Sequence, residues 1–424
     1  MAESPNHQIT NMDRSVLRRL GERVAEIAVS PEMDERRRLW KKLNALHAER
    51  PMVLVEIHPL LDDPNEIASV APLKCEGEWA RTVELGLRDK ILHHEYLRDD
   101  RAFEPRITYQ SSLSATDYGV AEVYHHGQSD YGRGSYVWEP PLKNLPEDLR
   151  RLHFREFTYH AEATERERAQ LEWVFGGVLP VVNRNDFWWS LGMTWAAIRL
   201  VGLEQFMLAM CDQPEAVHAL MAFLRDDHLH MVSWCEEQGL LTLNNEDDYI
   251  GSGGCGYTDL LPQQDYVPGR PARARDLWDL SESQETVGVS PDMFAEFILA
   301  YQLPVITRFG FACYGCCEPL DRRWHYVKQI PNLRRVSVSP WSDVRLMAQN
   351  LGADYVFSRK PNPAYVSSDW DEERIRADLQ ETIAATRGLN VEIVLKDVHT
   401  VRGEPWRLPR WVEMAREVIG QQRR

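Results

Sequence analysis

"NLRRVSVSPWSDVRLMAQNLGADYVFSRKPNPA", residues 332–364, carries a strand over 334–338, a helix over 341–351 and a strand over 354–358. One helix between two strands makes a parallel βαβ unit. The pattern extends both ways. A strand at 304–311 and a helix at 321–329 precede it; a helix at 371–387, a strand at 391–396 and a C-terminal helix follow. Towards the N-terminus, strands are expected at 240–244, 179–182, within 105–124 and at 52–57. About eight such units fit a (β/α)8 TIM barrel, whose functional groups sit on loops after the C-terminal strand ends. Residues 10–50 are helical in pattern, with Ser30 as cap and Pro31 in the first turn. The expected architecture is α/β: a helical N-terminal extension over 1–50 and a single barrel over 51–424.

The 424 residues are 43% hydrophobic and 27% charged, the composition of a globular protein, with a net charge of −16. That charge argues against nucleic acid as partner, since phosphate binding rests on Lys and Arg, and equally against an anionic membrane surface. The longest apolar region, around 188–210, is interrupted by Arg199 and Glu204, so no membrane span is expected. The first twenty residues lack the apolar core of a signal peptide. The seven cysteines are irregularly spaced, unlike a secreted disulfide framework. A cytoplasmic location with reduced thiols is the expectation.

Polar and aromatic residues recur just past the expected strands. They are His58; Asp186 with Trp188 and Trp189; Asn244, Asn245 and Asp247; Cys316 and Cys317 in "YGCCEPLD" (314–321); Trp341; Lys360; and Asp397 with His399. Loops at one barrel end converge on one mouth, so these residues are expected to line one pocket. For the cysteine pair three readings stand open: thiolate ligation of zinc, catalysis, or simple burial. The tryptophans at 188, 189 and 195 read as core. The pairs His93-His94 and His125-His126 read as surface, and "GSGGCGYTD" (251–259) as a mobile loop near the mouth.

The order of segments from about 179 onward resembles the uroporphyrinogen decarboxylase family and its corrinoid-linked methyltransferase branch. The resemblance is carried by "VGLEQFMLAMCDQPEAVHALMAFLRDD", "EEQGLLTLNNEDDYIGSGG", "VSPDMFAEFILAYQLPVITRFGFACYGCCEPLD" and the stretch quoted first. It implies a (β/α)8 barrel with its site at the C-terminal mouth. In the methyltransferase branch, a zinc is held by His-x-Cys after the fifth strand and a Cys after the last. Here Tyr314 stands at the His position, Cys316 matches the Cys, Cys317 replaces the following Gly, and Asp397-Val398-His399 replaces the last Cys. The decarboxylase branch binds its tetrapyrrole through arginines after the first strand, and this chain has none from 51 to 80.

The resemblance therefore implies a methyltransferase acting on a small methylated substrate (ether, amine or thiol). Cys316, Cys317 and His399 would be metal ligands for zinc, and cobalamin would be carried by a separate corrinoid protein. Asn244, Asn245, Asp247, His58 and Trp341 are the expected substrate-binding residues, and Glu282, Asp397 and Lys360 the expected catalytic ones. Because barrels of this family often pair, a homodimer is expected. The alternative is a metal-free decarboxylase or lyase of the same fold acting on a small or aromatic carboxylic acid.

Overall fold

The computed structural model describes residues 9–61, 63, 65–127, 136–186 and 190–421, so Trp188 and Trp189 lie outside the described residues. Eight parallel strands follow one another along the chain: β1 (Met52–Val55), β2 (Ile107–Tyr109), β3 (Val181–Asn183), β4 (Trp278–Ser281), β5 (Phe311–Tyr314), β6 (Leu333–Val338), β7 (Val356–Arg359) and β8 (Asn390–Leu395). Six form one all-parallel sheet in the order β1-β8-β7-β6-β5-β4, and β2 pairs with β3 apart from it. Among the described residues no backbone ladder joins the pair to the sheet, and the expected barrel of eight strands is not seen as one continuous ladder.

Side chains act where ladders are missing. At the free edge of β1, the Asp100 carboxylate accepts from Val53 N (2.8 Å) and that of Asp99 from Val55 N (3.1 Å). Arg50 grips Asp100 with two 2.7 Å bonds, and His93 Nδ1 lies 2.8 Å from Asp99. His93 is thus buried rather than on the surface, because it neutralises a carboxylate that finishes a strand edge.

Two strand assignments change. Residues 240–244 are extended but form no ladder. Asn185 Nδ2 donates to Leu240 O (2.7 Å), and Asn244 takes both backbone groups of Trp278, accepting from its N–H (2.9 Å) and donating to its carbonyl (3.0 Å). The fourth strand is β4, hidden from sequence inspection behind a long Gly-rich stretch. Residues 304–311 are not a strand either: a helix runs over Ala300–Ile306, and β5 begins at Phe311. The buried positions Phe297, Ile298, Gln302, Val305 and Ile306 recur at helical spacing. A short apolar run does not by itself tell a buried helix from a strand.

The N-terminal helices Asn11–Ala28 and Pro31–Asn44 form as expected, capped by Thr10 with Asp13 and by Ser30 with Pro31. Along the sheet, alternate residues face opposite ways. Val336, Phe357 and Ile393 pack into the main apolar core, while Arg335, Ser358 and Glu392 meet on the other face. Over that face lies a hairpin of Tyr249–Ile250 with Gly254–Cys255. It is the expected mobile loop, yet residues 250–258 are buried. Glycine makes this possible: Gly253 has φ +109°, and a Cβ on Gly254 would sit 2.6 Å from Arg335 Cζ.

Candidate active site

Cys316 lies just past β5, and its turn is fixed from several sides. Gly315 turns the chain at φ +92°, where a side chain would meet Leu320 at 2.8 Å. Glu318 then accepts from Cys316 N (2.8 Å) and Ser283 N (2.9 Å), while Ser337 Oγ donates to Cys316 O (2.8 Å). The sulfur of Cys316 is 3.6 Å from that of Cys317 and 3.4 Å from Ser252 Oγ, at the tip of the glycine hairpin. Lys396 Nζ donates to the same hydroxyl at 2.9 Å.

These neighbours set the charge of the sulfur. The Cys316 thiol is brought down to about 6, first by the hydrogen bond with Cys317, then, against burial, by Lys396, Ser252 and Lys360. The shift favours the thiolate, the nucleophilic and metal-ligating form. Cys313, three residues earlier, is pushed up to about 12 by burial, and Cys317 is raised by its bond to Cys316. Of the three clustered cysteines, Cys316 alone is shifted towards the thiolate.

Around it stand further shifted groups. Burial lowers Lys360 to about 8; its ammonium bonds the carbonyl of Ser358 at 3.2 Å and that residue's hydroxyl. Burial raises Glu318 to about 7. Glu282 is raised well above the carboxylate range, first by burial and then by Glu285 and Glu318. Glu282 also lines a cleft of about 720 Å³ with Arg155, Arg199 and Glu285; Trp195, expected in the core, is half exposed on its wall.

The structure gathers some of the expected site residues and not others. Cys316, Cys317, Lys360 and Asp397 come together, with Asp397 Oδ2 4.0 Å from the Cys317 sulfur. Trp341 is exposed and shares a groove with Cys317. His399 is exposed and bonds to neither cysteine, and His58 is an exposed residue beyond β1. Asn245 donates to Leu261 O (2.9 Å). Asn244 supports β4, and Asp247 is ion-paired with Arg106. Glu318 follows the cysteines in sequence, as expected of a residue past the strand. Nothing near Cys316 in sequence points to Lys396 and Ser252, although residues 392, 394 and 396 share one face by strand alternation.

For zinc, the 3.6 Å sulfur separation is close to the roughly 3.8 Å expected of two thiolates on one tetrahedral ion with Zn–S near 2.3 Å. Among the described residues, however, no group of three or more His, Cys, Asp or Glu side chains is arranged to hold a metal. The donor set stops at two sulfurs, one short of the three protein ligands of a catalytic zinc.

No family model matches the chain, and no curated protein matches it. Among solved structures it is similar to a methyltransferase from Methanosarcina mazei, with 12% identity over 91% of this chain and 98% of that chain, and a TM-score of 0.49. No helix of the described residues is long and apolar enough to cross a membrane.

Proposed function

We propose that the chain is an enzyme that moves the methyl group of a small methylated substrate, with the Cys316 thiolate at the reaction centre. The observation that carries this reading is a buried sulfur set against Cys317 and Ser252, with Lys396 and Lys360 behind them, surroundings that all favour its thiolate. A thiolate is the side chain best suited to a soft centre, whether a methyl carbon or a soft metal. The sequence resemblance to the corrinoid-linked methyltransferases supports the same reading. Within it, cobalamin on a separate corrinoid protein would supply the methyl acceptor or donor.

The chain's own groups have separable roles. Lys396, through Ser252, and Lys360 hold the negative charge on Cys316. Glu282, whose carboxyl burial pushes well above the ordinary range, is the candidate acid for a heteroatom that loses its methyl group. Glu318 positions the Cys316 turn through two backbone N–H groups. With the donor set at two sulfurs, no step is routed through zinc.

A second reading has an observation of its own. Two buried lysines, Lys360 and Lys396, stand beside the mouth and would bind a carboxylate, which favours the metal-free decarboxylase or lyase alternative. Metal content by mass spectrometry on tag-free protein, wild type beside Cys316→Ser, is paired with a methyl-transfer assay containing a corrinoid protein. Cys316-dependent methyl transfer supports the first reading. Loss of carbon dioxide from an acid, with no methyl transfer and no bound metal, supports the second.

A further inference from the structure

On the far side of the glycine hairpin, a cavity of about 500 Å³ opens between Glu78–Leu92, β2 and β4. Its volume lies within the range of small-molecule sites. Much of the wall is apolar or aromatic, including Leu87, Phe103, Tyr109, Trp278 and Leu280.

The polar groups are unevenly matched. Arg106 is paired with Asp247 and Glu246, and Arg184 with Glu246. Arg101 is different: Asp89, Asp99 and Asp247 act on it through space, but among the described residues its guanidinium makes no hydrogen bond or ion pair. Lys90 donates to Arg106 O at 3.4 Å and lies 3.7 Å from the already engaged Asp247, with no carboxylate of its own among the described residues. An independent observation comes from Asp279 on β4, which is 4% exposed and lines the same cavity with its Oδ1 buried and unpartnered. Burial pushes that carboxyl well above the ordinary carboxylate range, towards the form that donates a hydrogen bond, and its unpartnered oxygen calls for a polar partner. The other carboxylates on the wall do not meet the two cations' need. Asp247 is already shared, Asp248 is raised to about 6 by burial, Asp186 is raised by burial, and Glu167 accepts from the Trp79 indole at 3.0 Å.

We propose that this cavity binds a small carboxylic acid with an apolar or aromatic body, its carboxylate on Arg101 and Lys90 and a second acceptor on Asp279. The inference deepens the proposed function by naming a substrate class, and it rests on that reading for the ligand's being a substrate. The route to the sulfur is short in covalent terms: Gly251 lines the cavity, and the next residue, Ser252, touches Cys316.

The test is isothermal titration of the full chain with benzoate, 4-methoxybenzoate and uncharged methoxybenzene. Both acids are expected to bind, with methoxybenzene at least about tenfold weaker. Arg101→Met should weaken the acids about tenfold or more, as loss of a charge-assisted contact requires, with Arg101→Lys falling between. Lys90→Met and Asp279→Leu give independent variants should Arg101→Met fail to fold, and each should weaken the acids. No binding of either acid to wild type at millimolar concentration overturns the proposal, as does equal binding by folded Arg101→Met. Acid binding without any methyl transfer would leave the cavity assignment standing and count against the proposed function.

Discussion

The two halves of the strand set are built on different principles. From residue 278 onward, β4 to β8 with β1 make one continuous parallel sheet, with a register shift at Ala312/Cys313, and the Cys316 site rests on its strand ends. In the earlier part, strands are short and side chains make most of the joins: Asp99 and Asp100 along β1, where Asp100 N also donates to Val53 O (2.8 Å), and Asn185 and Asn244 along 240–244. A ladder shares its load over many peptide groups, whereas a stitched join concentrates it on single carboxylates and amides. The first region offers a rigid platform for a reacting sulfur. The second leaves a gap, and the 500 Å³ cavity lies there.

That contrast can be broken at named residues. The largest loss is expected at Glu392, fully buried with Arg335 at 3.3 Å beneath the hairpin. Glu392→Leu strands a buried guanidinium and should cost about 3–5 kcal/mol in denaturant unfolding. On the stitched side, Asn244→Leu frees both backbone groups of Trp278 and should cost about 2–3 kcal/mol, with β4 losing amide-exchange protection before β5 to β8. Equal protection loss across all strands would show that the two halves are not distinct.

His93 sharpens the contrast through pH. Burial opposes its charge, but Asp99 and Asp89 outweigh burial and raise it to about 9. A raised folded-state value gives stability that is full below the unfolded value near 6.5 and lost as pH climbs through about 9. His93→Gln should therefore cost about 1–3 kcal/mol at pH 6, and the gap from wild type should close by pH 9. A gap that does not change with pH would mean that His93 serves by packing alone.

The same division explains what the sequence made legible. The tight alternation from 332 to 396 reads directly, because each strand there is apolar, evenly spaced and followed by one helix. The glycine hairpin was misread: a Gly-rich run looks mobile until its glycines are seen to fit against Arg335 and Val394. Asn244 and Asp247 draw attention as polar residues after a strand, but their partners, Trp278 and Arg106, lie far off in sequence. Cys316 was legible through clustering and resemblance. Its charge was not, since that depends on Ser252 and Lys396, which the fold alone brings to it. Glu392 in "NVEIVLK" and Arg335 in "LRRVSV" carry a readable signal: a charge inside an apolar strand needs a buried partner.

The most direct test of the central claim is the ionisation of Cys316, followed by thiolate absorbance near 240 nm from pH 4 to 10 as the difference between wild type and Cys316→Ser. The account predicts one ionisation with a midpoint near 6, so that the sulfur is charged at neutral pH. A midpoint at or above the ordinary thiol value of about 8.5 would contradict it, leaving the cysteine cluster as buried packing with no reaction centre.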